Sequence, residues 1–232
     1  MSEQVTTTAP AATDTCDPAT RVTKSLLGYG VLAGPLYVTV SLIEVFTRAG
    51  FDPSRHAWSM LSNGSLGWIH IANFIVCGLM VVAFAVGLRR ELRPGIGSVW
   101  APRLIGAYGV SLVAAGLLRA DPGQGFPAGT SDGPGVVSWH GMGHFVAGAI
   151  GFSCLIAACF VLARRFAAEG KVGFARTSRL VGVLFGAGFV AVAAGGGAAW
   201  SLFAFTAAVI MVFGWLTAVA IDRYRSAARQ PR

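Results

Sequence analysis

Four histidines are all the imidazoles in the chain, and each lies in or beside one of two polar stretches of an otherwise apolar sequence. FDPSRHAWSMLSNGSLGWIH runs from Phe51 to His70, and the second stretch runs from Arg119 to His144. His140 and His144 are spaced i, i+4, which sets them on one side of a helix and makes half of a zinc site. His70 is the tentative third ligand, with His56, Asp52 and Asp121 as further candidates for completing the site. A zinc-bound water with a pKa near 7 would supply a nucleophile. On that reading Asp52, His56, Ser59 and His144 are the candidate catalytic groups, with Ser59 polarising the substrate or binding the water. Arg55, Arg119, Asp121 and Asn73 are the candidate substrate-binding groups, the guanidinium forks suiting an anionic head group. Haem ligation by His70 with His140 or His144 is a third use of the same residues. No HExxH, GxSxG or CxxC pattern accompanies any of these. The plainer alternative is that the histidines hydrogen-bond the loops and cap a helix bundle, with Glu44 and Arg48, at i, i+4, forming a local ion pair.

These groups stand out because the rest of the chain is so poor in charge. Of 232 residues, 54% are hydrophobic and only 12% charged, half the charged share of a typical soluble domain. The charges are clumped, leaving apolar intervals that read as membrane spans. The last interval, Leu180–Ile221, would be roughly 63 Å long as one helix, about twice the hydrocarbon thickness. Gly195-Gly196-Gly197 divides it, a triplet unsuited to a helix interior. The reading is therefore an all-α bundle of six transmembrane helices, near 26–47, 69–88, 99–118, 139–163, 180–195 and 199–221. Gly34-Pro35 is the one obvious kink site. Residues 1–24 are expected as a disordered tail, 25–222 as the membrane domain, and 223–232 as a basic tail.

Placing the N-terminus inside puts fifteen lysines and arginines on the inner face and only Arg48, Arg55 and Arg119 on the outer, which orients both termini to the cytoplasm. The net charge of +8 then follows from topology, and nucleic acid is excluded as a partner in favour of membrane lipid. No cysteine pair lies in the outer loops; Cys77, Cys154 and Cys159 fall in spans and read as small buried groups, and Cys16 as a bystander. Trp58, Trp68, Trp139 and Trp200 are expected in an outer aromatic belt, and Gly141 and Gly143 at a close approach of a helix or ligand. Asn73, one turn below His70, needs a partner on another helix. An offset of 71 residues aligns Tyr37 with Tyr108, Arg48 with Arg119, Trp68 with Trp139 and Phe74 with Phe145, the pattern of a diverged two-helix duplication that would set the two outer loops side by side.

The first loop and the helix after it resemble the signature of the DUF998 family of bacterial integral membrane proteins. The matching positions are Asp52, Pro53, Arg55, His56, Ser59, Leu61, Trp68, Asn73, Phe74 and Gly78. In the second half they are Asp121, Pro122, Phe126, Pro127 and His140, with His144 one turn on. The resemblance spans about residues 26–221 and implies a six-helix architecture without implying a chemistry. The loop with its later HxxxH also looks loosely like membrane hydrolases of the alkaline-ceramidase type, although the order and helix count differ. The expectation is a multi-pass plasma-membrane protein with an extracytoplasmic His/Asp/Arg/Ser site. It is either a metal-dependent enzyme acting on a lipid or amphiphile, a binding or transport protein for a lipid-like or anionic small molecule, or a haem-bearing redox protein.

Overall fold

The computed structural model describes residues 17–227. Six helices follow one another: α1 (Pro18–Thr47), α2 (Gly67–Glu91), α3 (Trp100–Leu117), α4 (Trp139–Ala168), α5 (Val172–Ala194) and α6 (Ala199–Ala227). A short 3-10 helix, Trp58–Ser62, lies in the first long loop, and the described residues contain no β-strand. All but α3 are long and apolar enough to cross a membrane. The 18 residues of α3 begin with the polar Trp100–Arg103 turn and pack between α2 and α4. The protein is a multi-pass membrane protein.

Each helix packs on the next and α1 closes against α6, so the six make a ring. A close crossing joins α2 and α3: a Cβ on Gly78 would meet the Gly109 carbonyl oxygen at 2.7 Å, and one on Gly109 would meet that of Gly78 at 2.8 Å. Two small residues thus let two backbones touch where lipid offers no hydrophobic drive for association. The α5–α6 turn is made by Gly196 and Gly197 at φ 59 and 83, as the glycine triplet implies. Helix α1 continues through Gly34 and Pro35.

The two long loops, 48–66 and 118–138, cover one end, called here the loop end. The opposite, terminal end is where the described chain begins and stops. Helices there run beyond the apolar intervals: α1 starts at Pro18 inside the expected tail, α5 starts at Val172, and α6 reaches Ala227. Apolar length sets only the part of a helix that lies in lipid, and backbone bonding continues wherever polar side chains find partners.

At the terminal end they do. Arg223, only 1% exposed, donates to both Glu169 carboxylate oxygens at 2.8 and 2.6 Å and to Asp222 at 2.8 Å. It sits 3.7 Å from Glu91 and 4.8 Å over the Phe166 ring. Arg165 donates to Glu169 at 2.5 Å and to the Leu92 carbonyl at 3.1 Å, and Lys171 clasps Asp222 at 2.7 and 2.8 Å. Three acids and three bases from α2, α4, α6 and the α4–α5 loop balance one another. The sequence places Arg223 at the start of a basic tail, whereas the structure makes it the centre of a buried network.

Burial by itself would raise the Glu169 pKa, but hydrogen bonds from Arg223 and Arg165 and their charges hold it at about 2, below its ordinary 4.5. The unfolded chain therefore takes up this proton first as the pH falls, and the stability this group contributes is complete above about 4.5 and lost towards 2. Thermal unfolding in detergent is expected to show a midpoint that falls across this window. Glu169→Gln should start lower and lose part of that fall; an unchanged acid limb in the variant would contradict the assignment.

Candidate functional site

The loop end is organised by Arg48, just past the end of α1, whose side chain is 7% exposed. Its Nη1 donates to Glu44 Oε1 at 3.2 Å, and Nη2 donates to the carbonyls of Leu61, at 3.1 Å, and Asn63. The other Glu44 oxygen accepts from His70 Nδ1 at 2.8 Å. The expected Glu44–Arg48 pair thus extends to α2 and into the first loop. His70 is fully buried and its Nε2 has no hydrogen-bond partner. One turn on, Asn73 donates to the Tyr37 carbonyl at 3.2 Å and to Ser41 Oγ at 3.3 Å, the interhelical bond expected of it.

The two loops do lie side by side. Asn63 Nδ2 donates to the Ala120 carbonyl at 3.0 Å. His56 accepts the Asp52 amide at Nδ1, 2.8 Å, and donates from Nε2 to the Gln124 carbonyl, 2.9 Å. Phe126, from the second loop, is buried between Phe51 and His56, at ring distances of 5.3 and 5.4 Å, with Arg48 5.8 Å above its face. Both nitrogens of His56 are therefore committed to main chain, and the ring acts as a strut between loops.

The charges paired in sequence are not paired in space, Glu44–Arg48 excepted. Asp52 caps its own turn, accepting from the hydroxyl and amide of Ser54 at 2.7 and 2.8 Å, which hold its carboxyl below its ordinary pKa. Arg55 reaches Asp132 at 3.8 Å, with both side chains well exposed, a contact worth little. Arg119 is exposed. Asp121 accepts from the Ser138 amide and hydroxyl at 2.7 and 2.5 Å, at the start of α4, and Gly141 makes room for it: a Cβ there would fall 1.9 Å from its Oδ2. The close approach foreseen at this glycine is that of a carboxylate rather than a helix. Asp52, Arg55 and Asp121 thus find partners other than their charged sequence neighbours.

Beneath the loops the ring of helices encloses a chamber of about 150 Å³. Every helix contributes to its wall, from Tyr37 and Phe74 through Tyr108, Phe152 and Val192 to Phe205 and Phe213, with Trp58 and Ser59 of the 3-10 helix at the loop end. Tyr37 stacks on Phe213 with ring centres 4.4 Å apart. Phe152 meets Phe189 and Phe205 edge-on at 5.3 and 5.4 Å. No Asp, Glu, Lys or Arg lines it. Two wall residues of α4, Phe145 and Ala149, are themselves exposed, Phe145 by 63%, which marks the mouth on the helix face turned to lipid. Trp58, expected in the aromatic belt, is instead buried in this wall; Trp68, Trp139 and Trp200 are exposed as expected.

Of the candidate catalytic residues, Ser59 and His144 meet at this chamber. His144 Nδ1 donates to the carbonyls of Ala115 and Leu118, both at 3.0 Å, at the end of α3. Asp52 and His56 belong to the loop struts and do not line it. The expected trio of His70, His140 and His144 does not converge. His70 is tied to Glu44, the Phe74 ring stands against both His70 and His144, at 4.7 and 6.0 Å, and His140 is exposed and stacked on Trp139 at 3.5 Å. Among the described residues no three His, Cys, Asp or Glu side chains are grouped to hold a metal ion. The side chains present do not fit a zinc site.

A family model described as "Protein of unknown function (DUF998)" matches residues 31–222. The chain belongs to the DUF998 family. No curated protein and no solved structure matches it. The match to DUF998 takes in both loops and all the chamber-lining residues, and it ends at Asp222, one residue short of Arg223. Of the residues singled out from the sequence of this DUF998 protein, Ser59 and His144 line the chamber while His70 and Asn73 do not; the chamber itself has no local signature, because Tyr37, Phe74, Phe152 and Phe213 have the same residue types as ordinary lipid-facing positions. The Glu44–His70 bond escapes the sequence reading as well, although Glu44 is a single acid in an otherwise apolar helix, a signal that it needs a partner.

Removing Glu44 leaves the Arg48 charge buried without a counter-ion. Glu44→Ala is expected to lower unfolding stability in detergent by about 3–5 kcal/mol and to loosen both loops, read as faster amide exchange at Leu61–Asn63. A change below about 1 kcal/mol, the scale of exposed pairs, would show that Arg48 does not depend on this carboxylate.

Proposed function

We propose that this protein holds the apolar part of a lipid or lipid-like amphiphile in the chamber, taken from the outer leaflet of the plasma membrane, with both termini in the cytoplasm. The chamber carries the reading. A wall of aromatic and small apolar side chains with a handful of hydroxyls and one imidazole is the composition of a site for an apolar ligand. Its volume of about 150 Å³ matches that of a dry apolar cavity that takes up benzene, so it suits part of a hydrocarbon chain or a small ring rather than a whole lipid. A mouth at Phe145 and Ala149 opens towards the acyl region, leaving a bulky or charged head outside. The lysine and arginine bias of the terminal end supports the orientation.

Gly148 supplies the test. A Cβ there lies 3.7 Å from Phe152, ordinary contact distance, so Gly148→Ala should fold and bind as wild type. Gly148→Leu projects into the chamber and is expected to reduce lipid retained on gentle detergent extraction, measured by native mass spectrometry, at least tenfold. Equal retention in both variants would place the lipid elsewhere.

An enzymatic reading retains one supporting observation, that Ser59 and His144 share the chamber. A hydrophobic nitrophenyl ester hydrolysed by wild type and not by Ser59→Ala would favour it, and equal background rates would leave binding alone.

A further inference from the structure

We infer that His144 selects the ligand by accepting a hydrogen bond at Nε2, so that the group entering the chamber is an uncharged hydrogen-bond donor on an apolar chain: an alcohol or an amide. The inference rests on the chamber being the binding site. The donation from Nδ1 to the Ala115 and Leu118 carbonyls, both at 3.0 Å, fixes the tautomer: the proton sits on Nδ1 and the lone pair on Nε2. No hydrogen bond from the described residues reaches Nε2, and His144 lines the chamber. His70 Nε2 is also without a partner, but it is completely enclosed, and His70 is not among the lining residues.

The acceptor is also held in position. Two bonds pin the ring to the end of α3, and the Phe74 and Phe145 rings stand edge-on to it at 6.0 and 6.2 Å. The other polar groups of the wall, Ser59, Ser111, Thr206, Tyr37 and Tyr108, carry hydroxyls, which donate or accept as required. The imidazole is therefore the one wall group that discriminates. A carboxylate or phosphate has no proton for Nε2 and finds no cation in the wall. An ammonium group can donate but finds no carboxylate. Either charge would be buried without a counter-ion, which is strongly unfavourable. A neutral hydroxyl or amide N–H meets the acceptor and leaves no charge behind.

The test uses the full chain in detergent micelles and two isomers, 1-octanol and heptyl methyl ether, of the same formula and differing in whether the oxygen carries a proton; octanoate is the charged control. Affinities are compared at equal mole fraction in the micelle. Wild type is expected to bind 1-octanol about three- to tenfold more tightly than the ether, the range of one net hydrogen bond, and octanoate most weakly. The Nε2 resonance of ¹⁵N-labelled His144 should move with the alcohol and stay put with the ether. In His144→Phe the preference for the alcohol should vanish while the ether still binds. Equal affinity for the two isomers in wild type, or a preference that survives in His144→Phe, would overturn the role of His144 and leave the chamber as an unselective apolar site. Failure of all three to bind would remove the chamber reading itself. Where His144→Phe, deprived of its bonds to α3, does not fold, the wild-type affinities and the Nε2 resonance decide the matter together.

Discussion

A guanidinium buried at the end of an apolar helix bundle must have its charge answered and its N–H groups placed, and the loop end follows from how Arg48 meets that demand. Glu44 answers the charge, and the carbonyls of Leu61 and Asn63 take the second nitrogen. Those carbonyls belong to the segment that carries Trp58 and Ser59 over the chamber, so satisfying one side chain fixes the cover. Asn63 passes the constraint to Ala120, and His56 passes it to Gln124. Buried ion pairs are poor sources of net stability but are severe when broken. In this position their value is geometric: they allow one arrangement of two loops that would otherwise have many.

The same logic recurs at the terminal end, where Arg223 gathers Glu169, Asp222 and Glu91. Between these two polar networks the described interior is largely aliphatic and aromatic. A six-helix ring cannot fill its own axis with small residues alone. Rings from α1, α2, α3, α4 and α6 fill much of it, and the chamber is what remains beneath the loops. The proposed ligand site therefore sits where packing is incomplete, roofed by the Arg48 network and open beside the exposed Phe145 and Ala149 of α4.

The helices were legible in the sequence because lipid forces a simple code: apolar length, charge at the ends, and a glycine triplet where the chain reverses. The interhelical need of Asn73 and the ion pair of Glu44 with Arg48 were legible for the same reason, since a polar group in an apolar helix must find a partner. Partners distant in sequence were not. Glu44 and His70 lie 26 residues apart, and Arg223 and Glu169 lie 54 apart; no local spacing announces either. The i, i+4 histidines were misleading for a physical reason. Spacing puts two side chains on one side of a helix, but 40° of difference in azimuth is enough to bury His144 and leave His140 on the surface. The 71-residue correspondence survives at Tyr37 and Tyr108, which both line the chamber, and at Trp68 and Trp139, which are both exposed. It fails at the arginines, where the Arg48 side chain is buried and Arg119 is exposed.

The central claim is that the chamber is a ligand site and not a packing defect. The most direct measurement is an experimental density map of protein extracted from membranes without added amphiphile. The account predicts elongated density beneath Trp58, running past Phe152 and ending within hydrogen-bonding distance of His144, with the mouth at Phe145 open. A chamber closed by side chains of α4 and α6, or left empty while lipid density lies only on the outer faces of the helices, would contradict it.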